Sequence, residues 1–388
     1  MRKIQMRNTR ILKIVIILLI LLTGITARFL ASQRGYNADF VSWQTVAKIA
    51  NSGGNVYAET RYYNYGPVWF HCLHLFAKIS QVFPTHTDEI FRLLIVGLLT
   101  SADVGIFVVL YRQYSLLVAA LFFLNPISII ITGYHNQFDN LAIFIGLCAV
   151  ILIDDSNVSS FITKRKVLGL VLLGFSLMTK HLLFLFPLWV AVKQNNRIMK
   201  LLTLIIPVII FLFAFLPYWH EGKVGILENV FYYQSYETQI FYTLFVPNIL
   251  KFFITGKQIW FLGLILFAFV CRKKNLLDSL LCYTVFLFIT SPSVANQYLA
   301  IAVPFTALHY KNICFFFYTL IGSCFLIIDP VGLHYFADWV LPFFKIPWVT
   351  YLAIMISLLT IGVSWELFSS YFQKIARYIR EELNIQIA

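Results

Sequence analysis

Repeated apolar runs constrain the fold more than any other feature of this 388-residue sequence. Hydrophobic residues make up 60% of the chain and charged residues only 12%, which is more apolar surface than a soluble core needs. Several runs approach the roughly 20 residues that cross a bilayer as a helix. The first, Ile11 to Leu30, is long for a signal peptide and lacks a clear cleavage site, so we expect it to be retained. In lipid, only helices or closed barrels satisfy the backbone, and we therefore predict an all-α, polytopic helical membrane protein.

Basic clusters separate the apolar runs and sort them into pairs. If every cluster lies on the cytoplasmic side, about twelve transmembrane helices with both termini inside account for the pattern. The predicted spans are 13–30, 91–111, 116–132, 140–153, 167–178, 182–192, 201–218, 258–271, 276–290, 298–309, 313–328 and 348–366. Several are too short to cross straight, so we expect broken or tilted helices. Segment 66–83 is apolar but contains two histidines and a lysine, and we interpret it as an interfacial helix in an outer first loop.

The net charge of +13 would suggest nucleic acid in a soluble protein. Here the lysines and arginines are better explained as topology signals, and we expect no nucleic-acid partner. Six cysteines are scattered without a CxxC pair, which indicates apolar packing rather than a metal site or a disulfide framework. The predicted cytoplasmic loops are short and contain no glycine-rich phosphate loop, so a nucleotide-dependent reaction inside is not expected. We predict no cofactor, and metal dependence stays open.

A lone acid, Asp39, follows the first apolar run in "RGYNADFVSWQTVAKI". It is either a solvated acid or N-cap of the amphipathic helix beginning near Phe40, or a catalytic base at the membrane surface. A second acid, Asp103, lies mid-span, where we expect it to make a structural contact between helices.

Aromatic residues and one arginine follow in "GGNVYAETRYYNYGPVW". An ordinary aromatic belt is one interpretation, and a wall that stacks on sugar rings or lipid is the other. The functional candidates are Arg61 and Tyr65 for the donor phosphate or lipid, and Tyr62 and Tyr63 for the sugar or acceptor. Pro67 suits the first turn of the interfacial helix.

Three further polar turns fall on the predicted outer side. "LNPISIIITGYHNQFDN" breaks a helix at Asn125-Pro126 and then presents polar side chains; "SLMTKHLLFLFP" has a lysine and a histidine between short apolar runs; "SPSVANQY" precedes a late span. Each is either a structural turn or part of a site. In the second turn, the structural interpretation is a lysine that snorkels to the membrane surface. The candidates are His135, Gln137, Asp139, Gln297 and Tyr298 for sugar or acceptor, and Lys180 and His181 for a lipid phosphate.

Together these motifs resemble the GT-C superfamily of polyprenyl-phosphate-sugar glycosyltransferases. The glucosyltransferases of N-glycan precursor assembly have an acid and an aromatic after the first span, matched by Asp39-Phe40. Their Tyr-Pro-Pro-Leu is similar to Tyr65-Gly66-Pro67-Val68, and their Asn-Pro followed by His-Phe-Gln-Tyr-Asn is similar to Asn125-Pro126 with 135–139. Their Lys-Gln before an aromatic run corresponds to Lys180-His181.

The first mannosyltransferase of GPI-anchor assembly is also similar, through Tyr63, Tyr65, Pro67, Asp103 and Gln297-Tyr298. Its Asp-x-Asp loop motif reads Asn37-Ala38-Asp39 here, so the first acid is missing and a two-acid or metal role is in doubt. The resemblance covers about 30–310. We predict a GT-C-like transmembrane catalytic module at 1–310, followed by C-terminal transmembrane helices and a cytoplasmic basic tail at 311–388.

The resemblance implies an inverting transfer of one hexose from a polyprenyl-phosphate-sugar donor to a glycan or glycolipid hydroxyl, with Asp39 as general base. The site would lie on the outer face of a bacterial plasma membrane, or the lumenal face of the endoplasmic reticulum. Loop 219–257, rich in tyrosine, would act as a lid. A polysaccharide polymerase or ligase and a lipid-linked sugar transporter remain alternatives, although this loop lacks the arginines expected of the former. The sequence has no clear inverted repeat of the kind many transporters have.

Overall fold

The computed structural model describes residues 2–154, 163–233, 237–328 and 347–387, with side chains described between 11 and 369. Within these ranges all regular secondary structure is helical, which confirms the predicted all-α class. The α-helices, numbered in chain order, are α1 Arg2–Ser32, α2 Ala38–Asn51, α3 Val56–Glu59, α4 Pro67–Ser80, α5 Thr87–Gln113, α6 Leu116–Phe123, α7 Pro126–Gly133, α8 Asp139–Ile153, α9 Lys164–Thr179, α10 Phe186–Ala191, α11 Arg197–Phe213, α12 Trp219–Gly225, α13 Ile240–Phe245, α14 Asn248–Lys251, α15 Gly256–Val270, α16 Leu276–Thr290, α17 Tyr298–Leu308, α18 Ile313–Ile328 and α19 Trp348–Ile387.

Every predicted apolar run coincides with helical structure. Among the described residues, four helical segments are long and apolar enough to cross a bilayer: Ile11–Ser32, Pro84–Gln113, Arg197–Phe231 and Trp348–Ser369. The pair α6 and α7 makes a fifth if it is one bent span, and α8, α16, α17 and α18 are shorter apolar helices. The chain is thus a polytopic helical membrane protein, while the count of about twelve spans stays a prediction.

Two of the predicted spans are broken, as their lengths suggested. The 116–132 run bends by 48° between α6 and α7. The break occurs because Pro126 has no backbone N–H to continue the helix, and the Asn125 side chain caps the new helix by accepting from the amide of Ile127 at 3.0 Å. The 182–192 run divides into a 3₁₀ turn, His181–Leu183, and the short helix α10.

The basic clusters that were predicted to share one side of the membrane lie close together. Lys193 donates from Nζ to the carbonyls of Cys271, Arg272 and Lys274, at 2.6 to 3.0 Å. The ammonium of Lys13 lies 5.1 Å from the Tyr111 ring centroid, and the hydroxyl of Tyr114 donates to Asp278, just after the 271–274 cluster. The structure therefore gathers separate clusters at one end of the bundle, which supports the pairing of the spans between them. Which side of a membrane this end faces stays a prediction. The side chains of the basic tail, 373–383, lie outside the described residues.

An ion pair lies within the apolar bundle between α1 and α5. Arg28 donates from Nε to Asp103 Oδ2 at 2.8 Å, and neither side chain is exposed. Asp103 also accepts from Thr132 and Asn140, both at 2.7 Å, so one carboxylate joins α1, α5, α7 and α8. The expected structural role of Asp103 is confirmed. Arg28 was missed as its partner, although a lone arginine inside a span is itself a signal for one.

Close packing of α8 against α9 brings two chain segments of the site together. Gly169 allows it, because an added Cβ would lie 2.8 Å from the Ala149 carbonyl oxygen. Ser176 on α9 donates to the carbonyl of Ala142 on α8 at 2.7 Å. The two helices pack antiparallel. The C-terminal end of α9, which Lys180 follows, therefore faces the first turn of α8.

The first loop, between α1 and α5, forms a small aromatic core of its own. Helix α2 is amphipathic and buries Phe40 and Trp43. Trp69 of α4 stacks on Phe138 with ring centroids 4.3 Å apart and planes 11° apart. Pro67 is the first residue of α4, as predicted. The loop is therefore packed onto the 134–140 turn rather than free above the bundle.

A candidate active site between the first loop and two helix ends

Asp39 lies in the first turn of α2 and is partly buried. The N-cap of α2 is Asn37, whose Oδ1 accepts from the backbone N–H of Asp39 at 3.1 Å. The Nδ2 of Asn37 also donates to Asp39 Oδ2 at 2.8 Å. The interpretation of Asp39 as the helix cap is therefore wrong, because Asn37 caps the helix and leaves the carboxylate for other contacts.

The 134–138 turn supplies two further polar groups. Gln137 donates from Nε2 to Asp39 Oδ2 at 2.6 Å, and His135 Nδ1 lies 3.1 Å from Asn37 Nδ2. Asn136 adopts a left-handed φ of 54°, which asparagine tolerates better than most residues, and its Nδ2 donates to the Gly133 carbonyl at 2.9 Å. The turn therefore presents Gln137 to the Asp39 carboxylate and His135 to the Asn37 amide that donates to the same carboxylate.

Lys180 and Asp139 form a buried ion pair beside this group. Lys180 follows α9 in an extended conformation, and its Nζ lies 2.7 Å from Asp139 Oδ2 in the first turn of α8. The ammonium also lies 4.8 Å from the ring centroid of Phe138 and 5.1 Å from that of Tyr65. Lys180 is only 4% exposed, so the snorkelling interpretation is wrong. Its charge is held by a carboxylate and two aromatic faces.

Two more tyrosines lie within electrostatic range of these acids. The hydroxyl of Tyr65 interacts with both Asp39 and Asp139, and with Tyr298 and Tyr233. Tyr298 itself interacts with Asp139 and Tyr233. Tyr233 comes from the 219–257 loop, of which 234–236 lie outside the described residues. This loop is joined to the "SPSVANQY" turn, because the amides of Thr238 and Gln239 both donate to the Pro292 carbonyl.

The other candidate side chains differ in how far they are buried. Tyr63 is buried and its hydroxyl donates to Gly66 and accepts from the Phe70 amide, so its geometry indicates a packing role instead of a sugar contact. Arg61 and Tyr62 are exposed on the loop before Tyr65. Gln297 is half-buried immediately before α17.

The aromatic wall is largely a core. Tyr57, Tyr63 and Trp69 are buried, and the Tyr57 hydroxyl donates to the Tyr65 carbonyl at 3.0 Å. Tyr62 and Tyr65 are the members of the predicted wall that keep exposed surface. These aromatic residues therefore build the loop that positions Asp39.

Burial dominates the electrostatics of the site. It raises the pKa of Asp39 above its ordinary value, Asp139 raises it further, and the Asn37 hydrogen bond and the Lys180 charge oppose the rise. Burial also lowers the pKa of His135 to about 4. The pKa of His181 falls to about 4 through burial and the neighbouring Lys180 charge. Both histidines are therefore neutral at pH 7, and Asp39 is a stronger base than an exposed aspartate.

Several buried polar atoms at the site have no hydrogen-bond partner among the described residues. They are His135 Nε2, Gln137 Oε1, Asp139 Oδ1, Asn140 Oδ1 and His181 Nδ1. Such atoms are costly unless a ligand or water satisfies them, and the grouping of four of the five within residues 135–140 indicates a place for a polar ligand. Within the same described part of the chain, no three His, Cys, Asp or Glu side chains come together as metal ligands.

Sequence reasoning missed two members of this group. Asn37 was noted only as the place of a missing acid, although an Asn two residues before an acid at a helix start is itself a capping signal. For Tyr233, the sequence analysis noted only that its loop, 219–257, is rich in tyrosine. No local pattern marks Tyr233, because its proximity to Tyr65 depends on how the 219–257 loop folds back.

No protein family and no curated protein sequence matches the chain. The structure is similar to two crystal structures of ArnT from Cupriavidus metallidurans, one in the apo state and one bound to undecaprenyl phosphate. Each likeness has a TM-score of 0.50 at 13% sequence identity and covers 90% of this chain and 76% of that chain. The chain thus has a fold similar to that of ArnT, which agrees with the fold class predicted from the sequence. At this identity, the likeness concerns the fold alone.

Proposed function

We propose that the protein is a membrane glycosyltransferase that moves one hexose from a polyprenyl-phosphate-sugar donor to an acceptor hydroxyl, with Asp39 as general base. The main observation behind the proposal is that a candidate base and a cation lie in the same polar group. The partly buried carboxylate of Asp39 and the buried ammonium of Lys180 interact electrostatically. A GT-C fold that resembles a structure bound to undecaprenyl phosphate supports the choice of lipid donor.

The chemistry follows from the charges that change during transfer. The acceptor hydroxyl loses a proton as it attacks the anomeric carbon, and Asp39 accepts that proton. The donor's sugar–phosphate bond breaks on the opposite face, and negative charge grows on the departing phosphate, which Lys180 stabilises. One displacement of this kind inverts the anomeric configuration. General-base assistance contributes about 10²–10⁴-fold to such a reaction.

Polar atoms without partners are suited to the sugar and the acceptor. His135 Nε2, Gln137 Oε1 and Asp139 Oδ1 are the proposed contacts, with Tyr62, Gln297 and Tyr298 at the edge of the site. His181 and Tyr65 flank Lys180 and are proposed to contact the donor phosphate, with Arg61 nearby on the loop. The loop that contains Tyr233 is the proposed lid.

An apolar groove is available for the lipid chain. It has a volume of about 590 Å³ and is lined by Leu212, Phe215, Leu216, Trp219, Leu227, Phe231 and Tyr232. Phe211 connects it to the site, since its ring lies 6.1 Å from that of His181 and 5.9 Å from that of Phe231. If the donor phosphate binds at Lys180, the first isoprene units of the donor can therefore contact this nearby apolar groove.

The direct test is transfer by purified protein in proteoliposomes. A panel of undecaprenyl-phosphate-linked hexoses is offered, and lipid-linked glycans from wild-type and deletion strains are compared by mass spectrometry to identify the acceptor. We expect an acceptor that is one hexose short in the deletion strain and is completed in vitro. Accumulation of an intact lipid-linked sugar on one leaflet, without loss of a glycosidic bond, would instead identify a transporter. Loss of chain length, with single additions intact, would identify a polymerase.

A further inference from the structure

We propose that Asn37, with His135 as its acceptor, is a positioning residue that sets which oxygen of Asp39 takes the acceptor proton. This inference rests on the proposed function of Asp39 as the base. In the resemblance to the first mannosyltransferase of GPI-anchor assembly, Asn37 corresponds to the first acid of the Asp-x-Asp motif. It is 8% exposed and all its polar atoms are engaged.

Three contacts determine the orientation of the Asn37 amide. Its Oδ1 accepts from the backbone N–H of Asp39, which requires the oxygen on that side. Its Nδ2 has two hydrogens, and two acceptors lie within reach: Asp39 Oδ2 at 2.8 Å and His135 Nδ1 at 3.1 Å. A flipped amide would set an oxygen against a carboxylate and an N–H against an N–H, so the observed orientation is the only one that satisfies every atom.

The same contacts determine the tautomer of His135. Because Asn37 donates to Nδ1, that nitrogen has no proton, and the proton of the neutral ring is on Nε2. Nε2 is buried without a partner among the described residues, so its N–H is available to a substrate oxygen. Protonation of His135 would make Nδ1 a donor that faces the N–H donor of Asn37, and the hydrogen bond between the two side chains would be lost. Burial of the ring, which is 1% exposed, opposes that protonation.

The contacts of Asp39 distinguish its two oxygens. Both side-chain donors, Asn37 Nδ2 and Gln137 Nε2, reach Oδ2, at 2.8 and 2.6 Å. Two hydrogen bonds make Oδ2 the less basic oxygen and hold the plane of the carboxylate. Oδ1 is therefore the oxygen that accepts the proton of the acceptor hydroxyl. The amide at position 37 donates a hydrogen bond to the ionised base, whereas an ionised acid there would have no hydrogen to donate.

An acid at position 37 would oppose Asp39 at hydrogen-bond distance. Two carboxylates that close share a proton, and the apparent pKa of the pair rises. The other charged or titratable groups that face Asp39 are Lys180, Asp139 and Tyr65, with His135 behind Asn37. Lys180 already faces two carboxylates, Asp39 and Asp139, so a further carboxylate at position 37 would add to the excess negative charge of the group.

The test compares pH profiles of kcat/KM for transfer from an undecaprenyl-phosphate-linked hexose, in wild type and in Asn37→Asp, Asn37→Ala and Asn55→Ala. Asn55 is the matched control, because it also caps a helix through its Oδ1 and also donates to another element, the Tyr218 carbonyl at 3.0 Å. We expect the acidic limb to move up by about one pH unit or more in Asn37→Asp, and by less in Asn37→Ala. In Asn37→Ala, kcat should fall about 10- to 100-fold. Asn55→Ala should lose thermal stability with an unmoved limb.

A second measurement does not depend on turnover. Infrared difference titration, with Asp39→Asn as the blank, follows the Asp39 carboxyl in wild type and Asn37→Ala, and its pKa should be higher in the variant. An unmoved acidic limb and an unchanged carboxyl titration in the Asn37 variants would reduce Asn37 to a helix cap, while Asp39 could still be the base. Near-normal transfer by Asp39→Asn would overturn both the base assignment and this inference.

Discussion

The ammonium of Lys180 lies 2.7 Å from Asp139 Oδ2, and the two residues are only 4% and 1% exposed. The pair joins the residue that ends α9 to the first turn of α8, where a cation at one helix end and an anion at the other helix start are both favourable. A buried pair tolerates loss of one partner poorly, since an unpaired buried charge costs about 3–5 kcal/mol. Lys180 therefore has a structural role beside its proposed contact with phosphate.

The two roles of Lys180 separate in a double variant. Lys180→Met should lower the thermal stability of the purified protein strongly, because Asp139 is left as a buried anion. Combining it with Asp139→Asn should recover most of that stability, since both charges are then gone. Undecaprenyl phosphate binding, measured by native mass spectrometry, should stay weak in both. Wild-type lipid affinity in the double variant would leave Lys180 with a structural role only.

Asp39→Asn should abolish transfer without unfolding the protein. The asparagine Oδ1 can keep both hydrogen bonds from Asn37 and Gln137, whereas the proton acceptor is lost, so turnover should fall by at least about 10²-fold. Because burial raises the Asp39 pKa, the ionised acid costs stability at pH 7, and the neutral amide removes that cost. The melting temperature should therefore stay the same or rise. A variant that loses both activity and melting temperature would make Asp39 a structural acid.

Sequence patterns predicted the helices well because burial and helix breaks are local properties. The break at Asn125-Pro126 follows from one missing N–H, and the short 182–192 run could not cross straight. The partners of single polar residues were not predictable in the same way. Arg28 and Asp103 are 75 positions apart, and Asn37 and His135 are 98 apart, so only the packing of distant helices brings them together.

The site itself was predicted as a set of residues but not as an arrangement. Asp39, His135, Gln137, Asp139 and Lys180 were all candidates, and the structure joins them in one polar group. Their pairing was not predicted, because a sequence gives no means to choose Asp139 as the partner of Lys180. Tyr63 was misjudged for a related reason: an aromatic residue near a membrane surface looks the same in sequence whether it faces a ligand or a core.

Acid should destabilise the protein through its buried histidines. In the folded state the pKa values of His135 and His181 are about 4, below the ordinary 6.5, so the unfolded chain binds more protons between these values. The free energy of unfolding must then fall as the pH is lowered from about 6.5 toward 4. The raised pKa of Asp39 acts in the opposite direction, but through one group with a smaller burial. Melting temperatures measured from pH 7.5 to 4.5 should show a net decrease.

His181→Phe isolates one of these contributions. The substitution keeps a ring beside Phe211 and removes the titrating group, so the melting temperature should depend less on pH than in wild type. His86→Phe is the control, because His86 is exposed and its loss should leave the slope unchanged. Equal slopes in wild type and His181→Phe would show that another group causes the acid sensitivity.

Gly66→Ala should damage the site through the backbone. A Cβ at position 66 would lie 2.0 Å from the carbonyl oxygen of Met178, two residues before Lys180. Backbone atoms cannot move aside as a side chain can, so the loop that contains Tyr65 must separate from the end of α9. We expect a loss of both melting temperature and donor binding. Gly97→Ala, where the added Cβ meets nothing within 4 Å, should be neutral or stabilising by up to about 1 kcal/mol.

The orientation in the membrane can be tested by cysteine labelling in a background without the six native cysteines. Ser52→Cys, at the exposed end of α2, should react with an impermeant maleimide added from outside. Lys273→Cys, in the basic cluster that Lys193 contacts, should react only after the membrane is opened. Labelling with the two sites exchanged would put the proposed site on the cytoplasmic side and exclude the proposed outer-face reaction.

The buried Arg28–Asp103 pair has a consequence for how the protein is made. Arg28 enters the bilayer with α1, near the C-terminal end of the Ile11–Ser32 span, and a charged side chain inside a span is unfavourable until it is paired. Its carboxylate partner is 75 residues further along the chain and is synthesised several seconds later, at about 5–20 residues per second. During that interval the Arg28 charge lacks the carboxylate that it pairs with in the folded protein. We therefore expect stable burial of Arg28 to require α5, and a translation pause placed between the two helices should increase degradation of the nascent chain.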